Sequence, residues 1–290
     1  MATSSDELLL RCTFPDPGTR LDCAYSGGPD STALIWLARE AGCVAVAHHV
    51  DHGIRPESAA ESERARAIAE GMGVEFVLHT VTVAPGPNLE ARARAARRAA
   101  LPVGTATGHT ADDQAETFLL RLLRGSGTTG LAAMRAGPSH PILRLRRADT
   151  VGLCSRLGIE PVDDPSNRSA DHRRNRVRHE LLPLADDIAR RDVAMIIARA
   201  AELLADDDEF LEELAGAIDP ADARAVATAP EVLARRALRR WLMVDGFPPD
   251  RAAIDRALAV ARGEAIACEL PGGRRLARRG QRFHIVAEGE

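Results

Sequence analysis

The chain of 290 residues contains no lysine: all 38 of its Lys+Arg residues are arginine. Any mechanism that needs a lysine side chain is therefore excluded, whether a phosphate loop ending in Gly-Lys, a Schiff base or an adenylated lysine nucleophile. A GC-rich coding bias accounts for such a composition, yet arginine also offers planar, bidentate phosphate recognition that lysine cannot. Aromatic residues make up only 3%, too few for the stacking platforms of a single-strand-binding sheet. Five cysteines (Cys12, Cys23, Cys43, Cys154, Cys268) are scattered, odd in number and never spaced CxxC. That pattern argues for a reducing cytosol and against a disulfide framework, a zinc ribbon or a redox dithiol. No run approaches the roughly 18 uncharged apolar residues of a membrane span. Asp6-Glu7 stands where a signal peptide carries positive charge, and the apolar run behind it is only Leu8 to Leu10; a cytoplasmic protein is expected. The net charge of −4 gives no bulk attraction to nucleic acid, so RNA contact would need a local patch.

What is present suffices for real cores: 45% of residues are hydrophobic, and the length suggests about two domains. The first half alternates strand and helix. Strands are expected over 21–25, 43–50, 74–79 and 103–107, and helices over 30–41, 57–70, 88–100 and 109–124. This is an α/β pattern whose parallel sheet places ligands at the carboxyl ends of its strands. From about 126 the pattern changes to a glycine-rich loop, GSGTTG, and an arginine-rich stretch with short helices. A long helical segment over 187–217 then leads to helices at 231–245 and 250–262, and 265–287 alternates like strands around a PGG turn. The expected organisation is an α/β domain over 1–187 and a small, mostly helical domain with a few strands over 188–290.

The first expected strand runs into Ser26-Gly27-Gly28-Pro29-Asp30-Ser31, and a helix begins at once. Two glycines let the backbone approach an anion, while the serine hydroxyls and the helix N-terminal amides supply donors. Asp30 suits a helix N-terminus as a cap, and beside phosphate it implies an intervening Mg²⁺. An ordinary capped turn also uses two glycines, but strand–SGGxDS–helix at the first crossover is far more specific. The loop resembles the pyrophosphate loop of the PP-loop (N-type) ATP pyrophosphatases, the adenine nucleotide α-hydrolase-like fold.

Three further stretches narrow the resemblance. His49 to Ser58 (HVDHGIRPES) follows the second expected strand, and Gly108 to Thr117 (GHTADDQAET) follows the fourth. Asp164-Pro-Ser-Asn167 is followed by Arg174-Asn-Arg-Val-Arg-His179. Together with the loop they resemble the tRNA(Ile)-lysidine synthase family over about 20–183, with a looser match beyond. The resemblance implies ATP and Mg²⁺ as cofactors, and free lysine and isoleucine tRNA with a CAU anticodon as partners. It admits a homodimer, involves no membrane, and makes 1–187 the ATP-binding catalytic domain and 188–290 a tRNA-binding domain.

Residue by residue, the resemblance assigns ATP to Ser26, Gly27, Gly28, Pro29, Asp30, Ser31, Asp51, His52 and Gly108, with Asp30 also the metal ligand. His109, Asp113 and Glu116 are spaced by four and three residues and so share one face of the expected 109–124 helix. Two carboxylates and an imidazole there can bind an ammonium group, hold Mg²⁺ or take a proton; a solvated helix face with an acidic N-terminal bias looks the same. By resemblance Asp113 and Glu116 hold free lysine, with His109 beside the reacting groups. Asp51 and His52 contact adenosine or the activated base, with a buried cap as the alternative for His52. Either Arg94 or Arg97 enters the site, offsetting charge as pyrophosphate leaves. Here the chain departs from the family, with Arg98 at a usually aromatic position and a shortened connection at Ala100-Leu101-Pro102-Val103. HRRNRVR at 172–178 contributes Arg173, Arg174, Arg176 and Arg178, and with Arg121 and Arg124 forms the phosphate-contact candidate for RNA. Other PP-loop chemistries fit less well. Thiolation needs persulfide cysteines or a cluster-binding CxxC, small-molecule amidation leaves HRRNRVR unexplained, and a degenerate RNA-binding module leaves the acidic residues without a task.

Overall fold

The computed structural model describes residues 4–51, 58–82, 89–162, 173–244 and 246–287. The chain divides into two compact units, Met1–Ala205 and Asp206–Glu290.

In the first unit, α1 (Ser5–Leu9) precedes a parallel sheet of β1 (Arg20–Ala24), β2 (Val44–Asp51) and β3 (Glu75–Thr80), in that spatial order. Register runs Cys23 with Ala47 and His48 with Val77. The crossovers are α2 (Pro29–Glu40) and α3 (Ser58–Gly71). One sheet face, Cys23, Tyr25, Ala45 and Ala47, packs with Leu34, Ile35, Leu37 and Leu153 into the main core. Burying several such side chains at roughly 1.5–3 kcal/mol each supplies most of the cohesion.

The fourth strand expected over 103–107 is reduced to a single residue. Ala106 forms an isolated parallel bridge to Cys23, its N–H donating to Asp22 O and its carbonyl accepting from Ala24 N–H. Pro102 offers no donor, and Gly104 at φ +84° turns the chain out of the extended region, so no ladder can propagate.

After α4 (Leu89–Ala100) and this bridge come α5 (Ala111–Leu122), α6 (Thr128–Leu131) and α7 (Arg147–Arg156). The helix expected over 109–124 starts two residues late because Thr110 is its N-cap in a reciprocal box with Asp113. Leu122 and Leu123, at the C-terminal end of α5, are exposed. Beyond the undescribed stretch, α8 (Arg173–Arg176) continues through a π-helical turn (Val177–Leu181) into α9 (Leu182–Ala189) and α10 (Val193–Gly216). Ala115, Val177, Leu182 and Ala194 form a small second core. That packing, with Arg135 donating to Ala205 O, keeps the first half of α10 in the first unit, so the division falls later than 187.

The second unit packs α11 (Ala223–Thr228), α12 (Glu231–Trp241) and α13 (Arg251–Arg262) with an antiparallel sheet of β4 (Ala267–Leu270), β5 (Arg274–Arg279) and β6 (Arg282–Ala287). Leu238, Leu242, Ile254, Leu258 and Leu276 are its core, and Trp241 stacks on Phe283 at 6.1 Å between centroids. Its arginines divide by position. Arg236 pairs with Asp208 and Glu212, and Arg274 and Arg278 donate to the Leu242 and Ala261 carbonyls. Arg239, Arg240, Arg275 and Arg279 are exposed.

Gly108 marks a close approach of two backbones. A Cβ there would lie 2.8 Å from Asp30 O and 3.0 Å from Ser31 N, atoms that cannot swing aside. Gly108→Ala is expected to cost about 2 kcal/mol in urea denaturation. Gly18→Ala, where no atom lies within 4 Å but φ is +84°, should cost only the backbone strain of about 1 kcal/mol.

Candidate active site

Strand β1 ends at Ala24, and the loop that follows is folded by its own hydroxyls. Ser31 Oγ accepts from Ser26 N–H (3.2 Å), lies 3.1 Å from Ser26 Oγ and donates to Gly28 O (3.0 Å). Gly27 takes φ +82°, where an added Cβ would meet Val162 at 2.8 Å. Gly28 is the N-cap of α2 and Pro29 its first residue, pre-set for helix. The result is a two-glycine turn at the N-terminus of a helix of 12 residues, the geometry that receives an anion.

Three helix N-termini meet here. Asp30 lies in the first turn of α2, Asp112 and Asp113 in that of α5, and Arg147 opens α7. Arg147 Nε reaches Asp30 Oδ2 at 3.1 Å, its Nη2 reaches Asp113 Oδ1 at 3.2 Å, and its Nη1 lies 3.5 Å from Glu116 Oε1. One guanidinium thus holds the Asp30 carboxylate and two of the three carboxylates of α5, Asp113 and Glu116. Thr150, one turn along α7, donates to Asp30 Oδ1 at 2.5 Å. Beside it, Arg146 binds Asp112 with two nitrogens, at 2.9 and 3.0 Å, and Arg147 N–H donates to the same carboxylate at 2.7 Å.

Glu116 is fully buried, and Arg174 from α8 and Arg178 from the π-helical turn close on it: Arg174 Nε to Oε2 at 2.6 Å, Arg178 Nε to Oε1 at 2.6 Å. Arg174 Nη2 also reaches Asp113 Oδ1 at 2.9 Å. The 172–178 block read for RNA phosphate is therefore split. Arg174 and Arg178 point at the acidic pair, Arg173 is exposed, and Arg176 pairs with Glu180 at 2.8 Å. Arg121 donates to Gly130 O at 2.7 Å, and Arg124 is exposed.

The charges respond unequally. Burial pushes the Asp30 carboxyl above its usual pKa, and the nearby Asp113 adds to this, outweighing Arg147 and Thr150. Burial would raise Asp113 too, but Arg147, Arg174 and the Thr110 N–H hold it below the usual carboxylate range. Asp112 is likewise lowered against burial, by Arg146 and the Arg147 N–H. Asp113, Asp30 and Glu116 keep the Arg147 guanidinium firmly protonated despite its burial.

His109 lies just before the helix, not on its face, because Thr110 takes the cap; it stays close enough to Asp113 to interact with that carboxylate. Gly108 packs on the Asp30 backbone. Asp51 ends β2, half-buried, while His52 lies outside the described residues, as do the Asp164–Asn167 motif and the side chain of Arg94. Arg97 is exposed on α4 and close enough to His49 to act on it. His49, passed over as a candidate, is buried with Nδ1 2.9 Å from Tyr25 O, and burial lowers its pKa. Arg146, Arg147 and Thr150 were also missed; the only trace in the sequence is RLRRADT at 144–150, an arginine-rich stretch among several.

Among the described residues no group of three His, Cys, Asp or Glu is placed to hold a metal alone. Asp30 beside the loop is the donor set Mg²⁺ takes when phosphate supplies its other ligands.

Comparison with known proteins decides the family. A model described as a PP-loop domain matches residues 2–185. The tRNA(Ile)-lysidine synthase of Nocardia farcinica is 41% identical over 289 residues, covering 92% of this chain and 91% of that protein. The chain belongs to the tRNA(Ile)-lysidine synthase family. The synthase of Thermobifida fusca is 36% identical, covering 89% of each chain. The solved U34-tRNA thiolase NcsA of Methanococcus maripaludis superposes with a TM-score of 0.53 at 16% identity, over 70% of this chain and 78% of that one, a likeness of fold alone. In this synthase family member, as in the Nocardia and Thermobifida proteins, the match runs through both units.

Because Asp30 is raised and Asp113 lowered, their neutral variants should move stability in opposite directions. A group with a raised folded pKa destabilises above that value, so Asp30→Asn should gain about 1 kcal/mol at pH 7. A group with a lowered pKa stabilises above its unfolded value near 3.9, a contribution lost as pH falls through the folded value. Asp113→Asn should therefore lose about 2 kcal/mol at pH 7 and less at pH 4. Urea melts at the two pH values read both; shifts of the same sign at pH 7 would contradict the assignment.

Proposed function

We propose that the chain makes lysidine in the cytoplasm. ATP adenylates the carbon-2 oxygen of the wobble cytidine in the CAU anticodon of isoleucine tRNA, releasing pyrophosphate. The amine of free lysine then attacks that carbon and AMP leaves. The observation that carries this reading is the junction at Arg147: an anion-binding loop and a buried acidic pair, each with its own task, are joined in one site of a chain from this family.

The loop 26–31 receives pyrophosphate through its backbone amides and the hydroxyls of Ser26 and Ser31. Asp30 holds Mg²⁺, which supplies charge neutralisation for the leaving pyrophosphate. An Asp30 carboxyl held above its usual pKa gains from a cation, which supports this role. Asp51, at the end of β2, is assigned to adenosine by the family resemblance. Between the two α5 carboxylates the tasks differ. The Asp113 side chain keeps 10% exposure whereas Glu116 keeps none. Asp113 receives the substrate ammonium, and Glu116 anchors Arg174 and Arg178. Those two arginines, with Arg173 and Arg176, order the 173–178 segment for the anticodon backbone, and the exposed arginines of the second unit add phosphate contacts. Positioning and charge neutralisation then supply most of the rate, and neither needs a protein lysine.

Thiolation is not favoured. The five cysteines are free, and burial pushes Cys12 and Cys23 up to about 12 and Cys154 to about 11, so the thiolates that sulfur transfer needs do not form.

The direct test mixes the protein with ATP, Mg²⁺, lysine and unmodified CAU-anticodon isoleucine tRNA. Lysine incorporation that requires both ATP and that tRNA is expected. AMP formation without lysine transfer would overturn the acceptor or the nucleophile. In the same assay Asp113→Asn should raise the KM for lysine at least tenfold and leave tRNA affinity within about twofold. Glu116→Gln should instead weaken tRNA binding, read by filter binding at two salt concentrations.

A further inference from the structure

Behind His109 lies an arrangement that no assigned role uses. Thr107 Oγ1 is 2.7 Å from His109 Nδ1 and 2.7 Å from His140 Nδ1. The two rings meet edge-on with centroids 5.2 Å apart. Thr107 is fixed in place: its N–H donates to Ser139 O at 3.0 Å, next to His140. His140 is held in turn by a backbone bond from its own N–H to Gly137 O at 2.9 Å. A hydroxyl has one proton. Its possible acceptors are the two imidazole nitrogens and, at the longer distance of 3.3 Å, Ser139 O, and it can donate to only one of them. When it donates to one ring, the other ring must donate to it, which gives complementary tautomers with one Nδ1 bearing a proton and the other bare.

We infer that Thr107 and His140 are positioning residues that form a proton relay behind His109, draining the proton that the substrate amine must lose. This rests on the lysidine reading. Lysine reaches the site as an ammonium, and its nitrogen has no lone pair until a proton leaves. His109, which lies between Gly108 on the Asp30 turn and the capped start of α5, accepts that proton at Nε2. Its Nδ1 proton passes to Thr107 Oγ1, and the Thr107 hydroxyl proton passes to His140 Nδ1. One N–H bond of the ammonium breaks, one N–H bond forms on His140, and the positive charge moves from substrate to His140 with no other reactant. Asp113 is the carboxylate that faces His109 and favours its transient charge. Burial keeps the His140 imidazole below its usual pKa, so it rests neutral and holds the relayed proton only transiently.

Two measurements on the full chain test the relay. In single turnover, Thr107→Val should slow lysine transfer about tenfold to a hundredfold while tRNA-dependent pyrophosphate release and the KM for lysine stay within about twofold. Thr107→Ser, which restores the hydroxyl, should recover most of the rate. His140→Gln should show the Thr107→Val defect, and the double variant should be no slower than either single one, because both break one chain. Loss spread equally over both steps, no rescue by serine, or additive losses would each overturn the relay. The second readout needs no activity: ring ¹⁵N spectra should show one of His109 and His140 protonated at Nδ1 and the other bare there. Two rings with the same tautomer contradict the relay whatever the enzyme does. Wild-type protein that transfers no lysine contradicts the lysidine reading, a distinct failure.

Discussion

The site depends on a single guanidinium shared among three carboxylates. Asp30, Asp113 and Glu116 sit on two different helices, and without Arg147 their like charges would oppose one another in a partly dry pocket. Arg147 opens α7, which packs on α2, so the neutralising charge arrives on the element that already covers the loop. Only arginine has the nitrogen count and planar spread to reach all three at 3.1, 3.2 and 3.5 Å. The surplus of arginine, whatever its coding origin, is used here for a task that lysine could not perform.

The remaining polar contacts follow from that one. Arg147 shares Asp113 Oδ1 with Arg174 and Glu116 Oε1 with Arg178, two further cations that come from a segment that turns through a π-helical stretch. That stretch is the kind of local irregularity often found at functional sites. The main core behind the sheet and the small core around Ala115 hold α2, α5, α7 and α9 rigidly enough for bonds of 2.6–3.2 Å to persist. Asp30 is the exception, a carboxylate whose charge is left costly. A group destabilised in this way is the signature of a site shaped for a ligand rather than for stability.

Much of this was legible in the sequence, for identifiable reasons. The loop 26–31 announces itself because two glycines, a proline and an aspartate at a strand–helix junction leave few other conformations. The Asp113 and Glu116 pair follows from helical spacing. His109 was misplaced by two residues because a Thr at 110 with Asp at 113 is also a cap, and the cap took the helix start. The strand at 103–107 shrank to Ala106 since Pro102 and Gly104 cancel its apolar pattern. Arg147, Thr150, Thr107 and His140 carry no periodic signal at all, and their partners lie as much as 120 residues away in sequence. The Arg174 and Arg178 partners lie 58 and 62 residues away. Composition cannot tell an arginine that awaits phosphate from one that already holds a carboxylate.

The central claim is that Arg147 energetically couples the loop to the acidic pair, and a double-mutant cycle measures that directly. Asp30→Asn and Arg147→Met would be made singly and together, and unfolding free energies compared at pH 7. If Arg147 is what offsets the Asp30 charge, neutralising Asp30 should help the Arg147→Met protein more than the parent by at least about 1 kcal/mol. An equal effect in both backgrounds, within about 0.5 kcal/mol, would mean the contact is geometric only and the account of the site is wrong.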